Sequence, residues 1–214
     1  MAKLIDKIMA VYKKHLDIDQ RQEAILRYSL KLLIGSVAGY ALALVMAWPL
    51  DIFYPVLVVM TMVSVLRVFS GGAHCSNALN CIVYGAIIMN ALGLLTEKIA
   101  FSTTVGLIML GGIFFYALWC IGRYAPADTP GKPISTKQQQ DKLKKRSVAV
   151  VCIWAFIVFR VIYQTTGQVH PLVYASSIGI LWQSFSLTKG GYQFCHALDK
   201  LLSRILDRKG AKAC

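Results

Sequence analysis

The sequence predicts an all-α fold: a polytopic membrane helix bundle of about six transmembrane helices, preceded by an N-terminal amphipathic helix, in one domain over residues 1–214. Three observations carry this expectation. Hydrophobic residues make up 57% of the chain, charged residues only 15%, and mean hydropathy is +0.57, more apolar surface than a single soluble core buries. The apolar residues gather in runs close to the ~20 residues that cross a hydrocarbon layer about 30 Å thick. Positive charge collects between alternate runs, as cytosolic membrane edges require.

Within residues 1–18, Leu4, Ile5, Ile8, Tyr12 and Leu16 recur at helical spacing, with Lys3, Lys7, Lys13 and Lys14 mainly elsewhere. That is the pattern of a helix lying in the interface. The same lysines and Asp6 interrupt any apolar core of a signal peptide, so none is expected. Asp19 is a candidate N-cap for a first span over residues 24–48, whose early Arg27 and Lys31 can snorkel to headgroups. A second span, 52–68, is barely long enough and contains Pro55, which predicts a kink or an incomplete crossing. The third, 78–95, carries no charge, and the fourth covers 104–121.

Residues 123–146 hold seven basic residues against Asp128 and Asp141 and read as a basic cytosolic loop with a short helix near its end. The fifth and sixth spans, 147–163 and 171–187, flank the polar stretch QTTGQVH. The tail sets Phe194, Leu198, Leu201, Leu202 and Ile205 among basic residues. With the N-terminus in the cytosol, six spans put every Lys and Arg of the 23 on the cytosolic side except Lys98 and Arg160. The glycine pair Gly71-Gly72 and the residues after it fall on that same face.

Several function classes are excluded. There is no HExxH or comparable ligand spacing, so no metal is expected, and no GxSxG elbow, Walker A loop or dinucleotide fingerprint, so no cofactor either. The basic loop suits anionic lipid headgroups or an acidic peptide segment. Nucleic acid is not an expected partner, because the charges are dispersed along membrane edges without a binding module. The six cysteines show neither CxxC pairing nor the density of a disulfide scaffold.

Chemistry concentrates just past the glycine pair, at His74 and Cys81. A histidine can accept the proton of a thiol, and the imidazolium then stabilises the thiolate. Seven residues along a regular helix separate two Cα atoms by about 10.5 Å, so the pair meets only if His74 lies in a loop that Gly71 and Gly72 bend back. Ser76 or Asn77 would then cap the third helix and lend Cys81 its dipole. Residue chemistry leaves open a plain packing role for Cys81 and leaves Cys75 as a rival nucleophile. Arg67 reads either as a positive-inside anchor or as a holder of a substrate carboxylate or backbone carbonyl. Asn77, Asn80, Asp128 and Gln183 are candidates for orienting the imidazole. A small transporter, with Pro55, the glycine pair and Arg160 marking a broken helix, and a noncatalytic scaffold are the competing readings.

Residues 67–81, RVFSGGAHCSNALNC, and residues 123–134, RYAPADTPGKPI, resemble the accessory gene regulator B (AgrB) family, and the hydrophobic layout agrees over essentially the whole chain. The resemblance implies a membrane cysteine endopeptidase with Cys81 as nucleophile and His74 as base, supported by Arg67 and Gly72. It implies as partner an AgrD-like precursor peptide with an amphipathic leader, a signal sequence and an acidic tail. It also implies thioester chemistry that closes a thiolactone or lactone ring, and a homodimer. Lys142, Lys144, Lys145 and Arg146 are the residues expected to hold the acidic tail.

Overall fold

Apolar runs this long have one way to satisfy their backbone polar groups away from water, which is to bond within each segment as helices. In a computed structural model, which describes residues 2–16, 18–75, 78–98, 102–127, 136–165 and 169–210, they do so. The order is α1 (Ala2–His15), α2 (Gln20–Ala47), a 3-10 turn (Trp48–Leu50), α3 (Phe53–Ser70), α4 (Ala78–Glu97), α5 (Thr103–Tyr124), α6 (Lys137–Gln164), α7 (Pro171–Ser186) and α8 (Lys189–Gly210), with no strand among the described residues.

Asp19 caps α2 in a reciprocal box: the Gln22 N–H donates to Asp19 Oδ1 at 2.7 Å and the Asp19 N–H to Gln22 Oε1 at 3.1 Å. Lys13 pairs with Glu23 at 2.7 Å and Arg27 with Asp6 at 2.6 Å, laying α1 along the start of α2. Pro55 is the third residue of α3, inside the first turn, where a missing N–H leaves no intrahelical bond unmade. The expected kink is therefore absent, and α3 runs to Ser70.

Two segments differ from expectation. Residues 123–146 are mostly helix at both ends: α5 continues to Tyr124, and α6 starts at Lys137 behind Thr136, whose hydroxyl accepts from the Gln139 N–H at 3.2 Å. The short helix expected near the end of this stretch is thus the start of a 28-residue helix continuous with the next span, and Lys142, Lys144, Lys145 and Arg146 sit on its second and third turns. Lys and Gln are good helix formers, and no proline falls between Pro133 and the end of α6. Residues 128–135 lie outside the described part.

The other concerns the sixth span. Among the described residues five helices are long and apolar enough to cross a membrane, namely Gln20–Leu50, Phe53–Ser70, Leu79–Glu97, Thr103–Tyr124 and Lys137–Gln164. The expected sixth, α7, has 16 residues, about 24 Å at a helical rise. It is the inner helix of the bundle, buried from Val173 through Ile180 and again at Gln183 and Ser184.

The core forms two apolar clusters that share α3 and α7. One joins Leu66, Ile113, Ala117, Val151, Trp154 and Ile180; the other joins Ala43, Val56, Val59, Ala86, Met89 and Ala175. A Cβ on Gly179 would come within 2.8 Å of the Val59 carbonyl oxygen, so α7 and α3 touch backbone to backbone. Polar bonds fix the register, since apolar contact alone discriminates little among helices in lipid. Trp154 Nε1 donates to Ser176 Oγ at 3.0 Å, and Asn90 Nδ2 to the Ala43 carbonyl at 3.0 Å. Val45, Ile108, Phe115, Phe156 and Phe159 face outward, an apolar exterior that lipid accounts for.

Candidate active site

The site begins where α3 stops. Gly71 has φ +69 and Gly72 φ +142, backbone that residues with a Cβ rarely adopt. A Cβ on Gly71 would collide with the Ala127 carbonyl oxygen, and one on Gly72 would lie 2.8 Å from Ser186 Oγ. Residues 71–75 therefore leave the helix in a tight bend against α7 and the segment after α5.

That bend is held from several sides. The Ala127 N–H donates to the Ser70 carbonyl at 2.8 Å, and the Ala73 N–H to the Ser186 carbonyl at 3.2 Å. Gln183 Nε2 donates to the Gly71 carbonyl at 2.7 Å and to Ser70 Oγ at 3.1 Å. Arg67 donates from Nη2 to the Ala73 carbonyl and from Nη1 to Gln183 Oε1 at 3.5 Å. His74 and Cys75 follow, exposed and half-buried respectively.

Cys81 reaches the same place from the first turns of α4. The start of α4 is tied to α8 by buried Asn80, whose Nδ2 donates to Asp199 Oδ1 and to Ser203 Oγ, each at 2.8 Å. Asn80→Ala removes both bonds from a buried site and is expected to cost about 1–3 kcal/mol. A lowered thermal midpoint in detergent, against an unchanged midpoint for a surface control, would check this.

His74, Cys75, Cys81 and Arg67 line one cavity of about 500 Å³, whose remaining wall is largely apolar and aromatic, with Tyr84 and Trp182 among its members. The Cys81 thiol is within interaction range of both the His74 side chain and the Cys75 thiol. Cys75 Sγ lies 3.9 Å from Cys195 Sγ of α8. Hydrogen bonding to the Cys195 and Cys81 sulfurs, and then burial, hold the Cys75 thiol well above its ordinary range.

The bend brings together His74, Cys81, Arg67 and Gly72, the residues singled out by sequence. Lys142, Lys144, Lys145 and Arg146 do not line the cavity. Lys144 donates to the Gly122 carbonyl, and the Arg146 guanidinium sits 5.9 Å from the Phe69 ring centroid, beside the end of α3. Asn80 and Gln183 are engaged with α8 and with the bend, while Ser76, Asn77 and Asp128 lie outside the described residues. Sequence reasoning missed Ser186 and Cys195, which no local spacing marks, and it read Lys31 as an anchor although it borders the cavity. No group of three metal-ligating side chains comes together among the described residues.

The profile of the accessory gene regulator B family matches residues 5–187, nearly the whole chain. The chain belongs to the AgrB family. Among its relatives, AgrB-like protein 2 of Clostridium perfringens strain 13 is 27% identical over 214 residues, covering 96% of this chain and 100% of the relative. An AgrB-like protein of Clostridium perfringens strain SM101 is 26% identical over 213 residues, with 96% and 98% covered. One from Lactiplantibacillus plantarum is 24% identical over 159 residues, with 74% and 78% covered. No solved structure matches the chain. Membership ties this AgrB protein to the accessory gene regulator quorum-sensing system, and the five helices of spanning length among the described residues make it a membrane protein.

Proposed function

We propose that this AgrB protein is a membrane cysteine endopeptidase that removes the C-terminal tail of an AgrD-like precursor and leaves the signal peptide ready for ring closure. The observation that carries this reading is the convergence of His74 and Cys81 on one cavity, from a glycine bend and a helix start that could have pointed anywhere. The contact of the His74 side chain with the Cys81 thiol supports Cys81 as the nucleophile, because the imidazole can take the proton of that thiol.

The chemistry proceeds in two transfers. His74 takes the Cys81 proton, and the thiolate attacks the carbonyl carbon at the signal-to-tail junction. The tetrahedral oxyanion collapses, the C–N bond breaks, and His74 returns the proton to the leaving amine of the tail. The signal remains as a thioester on Cys81. A cysteine thiol within the peptide then gives its proton to His74 and attacks that thioester, displacing the Cys81 thiolate, which takes the proton back from His74, and the product is a thiolactone; a serine hydroxyl in its place gives a lactone. Thiol exchange is nearly balanced, so ring closure wins over hydrolysis when the internal thiol is positioned and the site is partly dry, as an apolar-walled cavity favours.

On this reading the site faces the cytosol, anionic lipids neutralise the basic membrane edge, and the protein works as a homodimer. Lys142, Lys145 and Arg146, exposed on α6 with Arg146 beside the end of α3, attract the acidic tail. Co-expression with the precursor peptide tests the reading. Release of the tail, with a signal peptide one water lighter than its linear form, is the expected result; a precursor that stays intact would sink it.

A further inference from the structure

We infer that Gln183 is a positioning residue for this reaction: its side-chain amide sets the conformation of residues 71–75 and so decides where the His74 imidazole meets the Cys81 thiol. The inference rests on the dyad proposed above. Gln183 is wholly buried on the last turns of α7, where an unpaired primary amide is costly. Among the described residues, the hydrogen bonds of that side chain end on the bend or on the arginine that holds it. Its NH2 group serves the Gly71 carbonyl and Ser70 Oγ, and its oxygen accepts from Arg67.

The fit is close, because a Cβ on Gly72 would lie 3.2 Å from Gln183 Nε2. Three residues further along α7, the Ser186 carbonyl takes the Ala73 N–H, while Ser186 Oγ donates back to the Gln183 carbonyl. One turn of α7 thereby grips the bend at Gly71 and at Ala73, and His74 is the next residue out. An apolar side chain of the same length would fill the space as well; only the amide gives the bend a direction.

Two variants test this. Gln183→Met keeps the length without the amide, and Gln183→Glu keeps an acceptor toward Arg67 but loses the donors. In proteoliposomes, precursor cleavage should fall about 10- to 100-fold in kcat with KM little changed. Independently of any precursor, the pH profile of Cys81 alkylation by iodoacetamide, mapped by peptide mass, should move toward that of His74→Ala. Wild-type kcat in Gln183→Met would overturn the inference, as would lost cleavage with a wild-type alkylation profile. If the wild-type protein does not cleave the precursor, the alkylation profile still decides the role of Gln183, and the peptidase reading alone falls.

Discussion

Cys81→Ala is expected to abolish release of the precursor tail, by about 10³-fold or more, while Cys75→Ala retains it. The two thiols share a cavity and lie within interaction range of each other, so proximity does not separate them. Their surroundings do. Cys75 packs against the Cys195 sulfur at 3.9 Å, whereas Cys81 has His74 beside it as an acceptor. His74→Ala should lower cleavage about 10²- to 10⁴-fold and make the residual rate climb with pH, because hydroxide then has to remove the thiol proton. Tail release measured by mass spectrometry of co-expressed precursor checks all three variants. Loss of activity in Cys75→Ala alone would assign the chemistry to the other thiol.

Gly71→Ala should be nearly as damaging. At φ +69 an added Cβ strains the backbone by about 1–3 kcal/mol, and here it also meets the Ala127 carbonyl oxygen. The bend can relieve that collision only by moving, which carries His74 with it; a displacement of about 1 Å costs about 10²-fold in rate. Gly72→Ala, with φ +142 and Ser186 Oγ 2.8 Å from the new methyl group, should act the same way. Gly111 and Gly112 on α5 have open space where a Cβ would go, so alanine there is expected to leave cleavage unchanged. Wild-type turnover in Gly71→Ala would mean that the bend does not place the histidine.

These expectations indicate how much the amino-acid order discloses. Membrane helices are legible because lipid demands long apolar runs, and Asp19 is legible because capping depends on residues three apart. Lys142 to Arg146 are harder: a polar, basic stretch after three prolines suits a loop, and only its continuity with the apolar half of α6 makes it helix. Pro55 is ambiguous until the start of α3 is known to within a residue or two. The inner placement of α7 follows from packing against α3, α4, α5 and α8, which hydropathy does not encode. At the site, His74 and Cys81 could be paired from sequence only on condition that Gly71 and Gly72 bend the chain, and the bend is present. Gln183, 113 residues from Ser70, has the right chemistry to orient something, but its target is a backbone carbonyl rather than the imidazole, and no local spacing announces that.

The most direct measurement is the intact mass of the purified protein after incubation with a precursor whose internal ring-forming cysteine is replaced by alanine. Without that thiol, ring closure is blocked and the first transfer should accumulate. The expected result is an enzyme heavier by the leader-plus-signal portion, an adduct released by hydroxylamine and mapping to Cys81. Tail release with no adduct, or an adduct on Cys75, would contradict it.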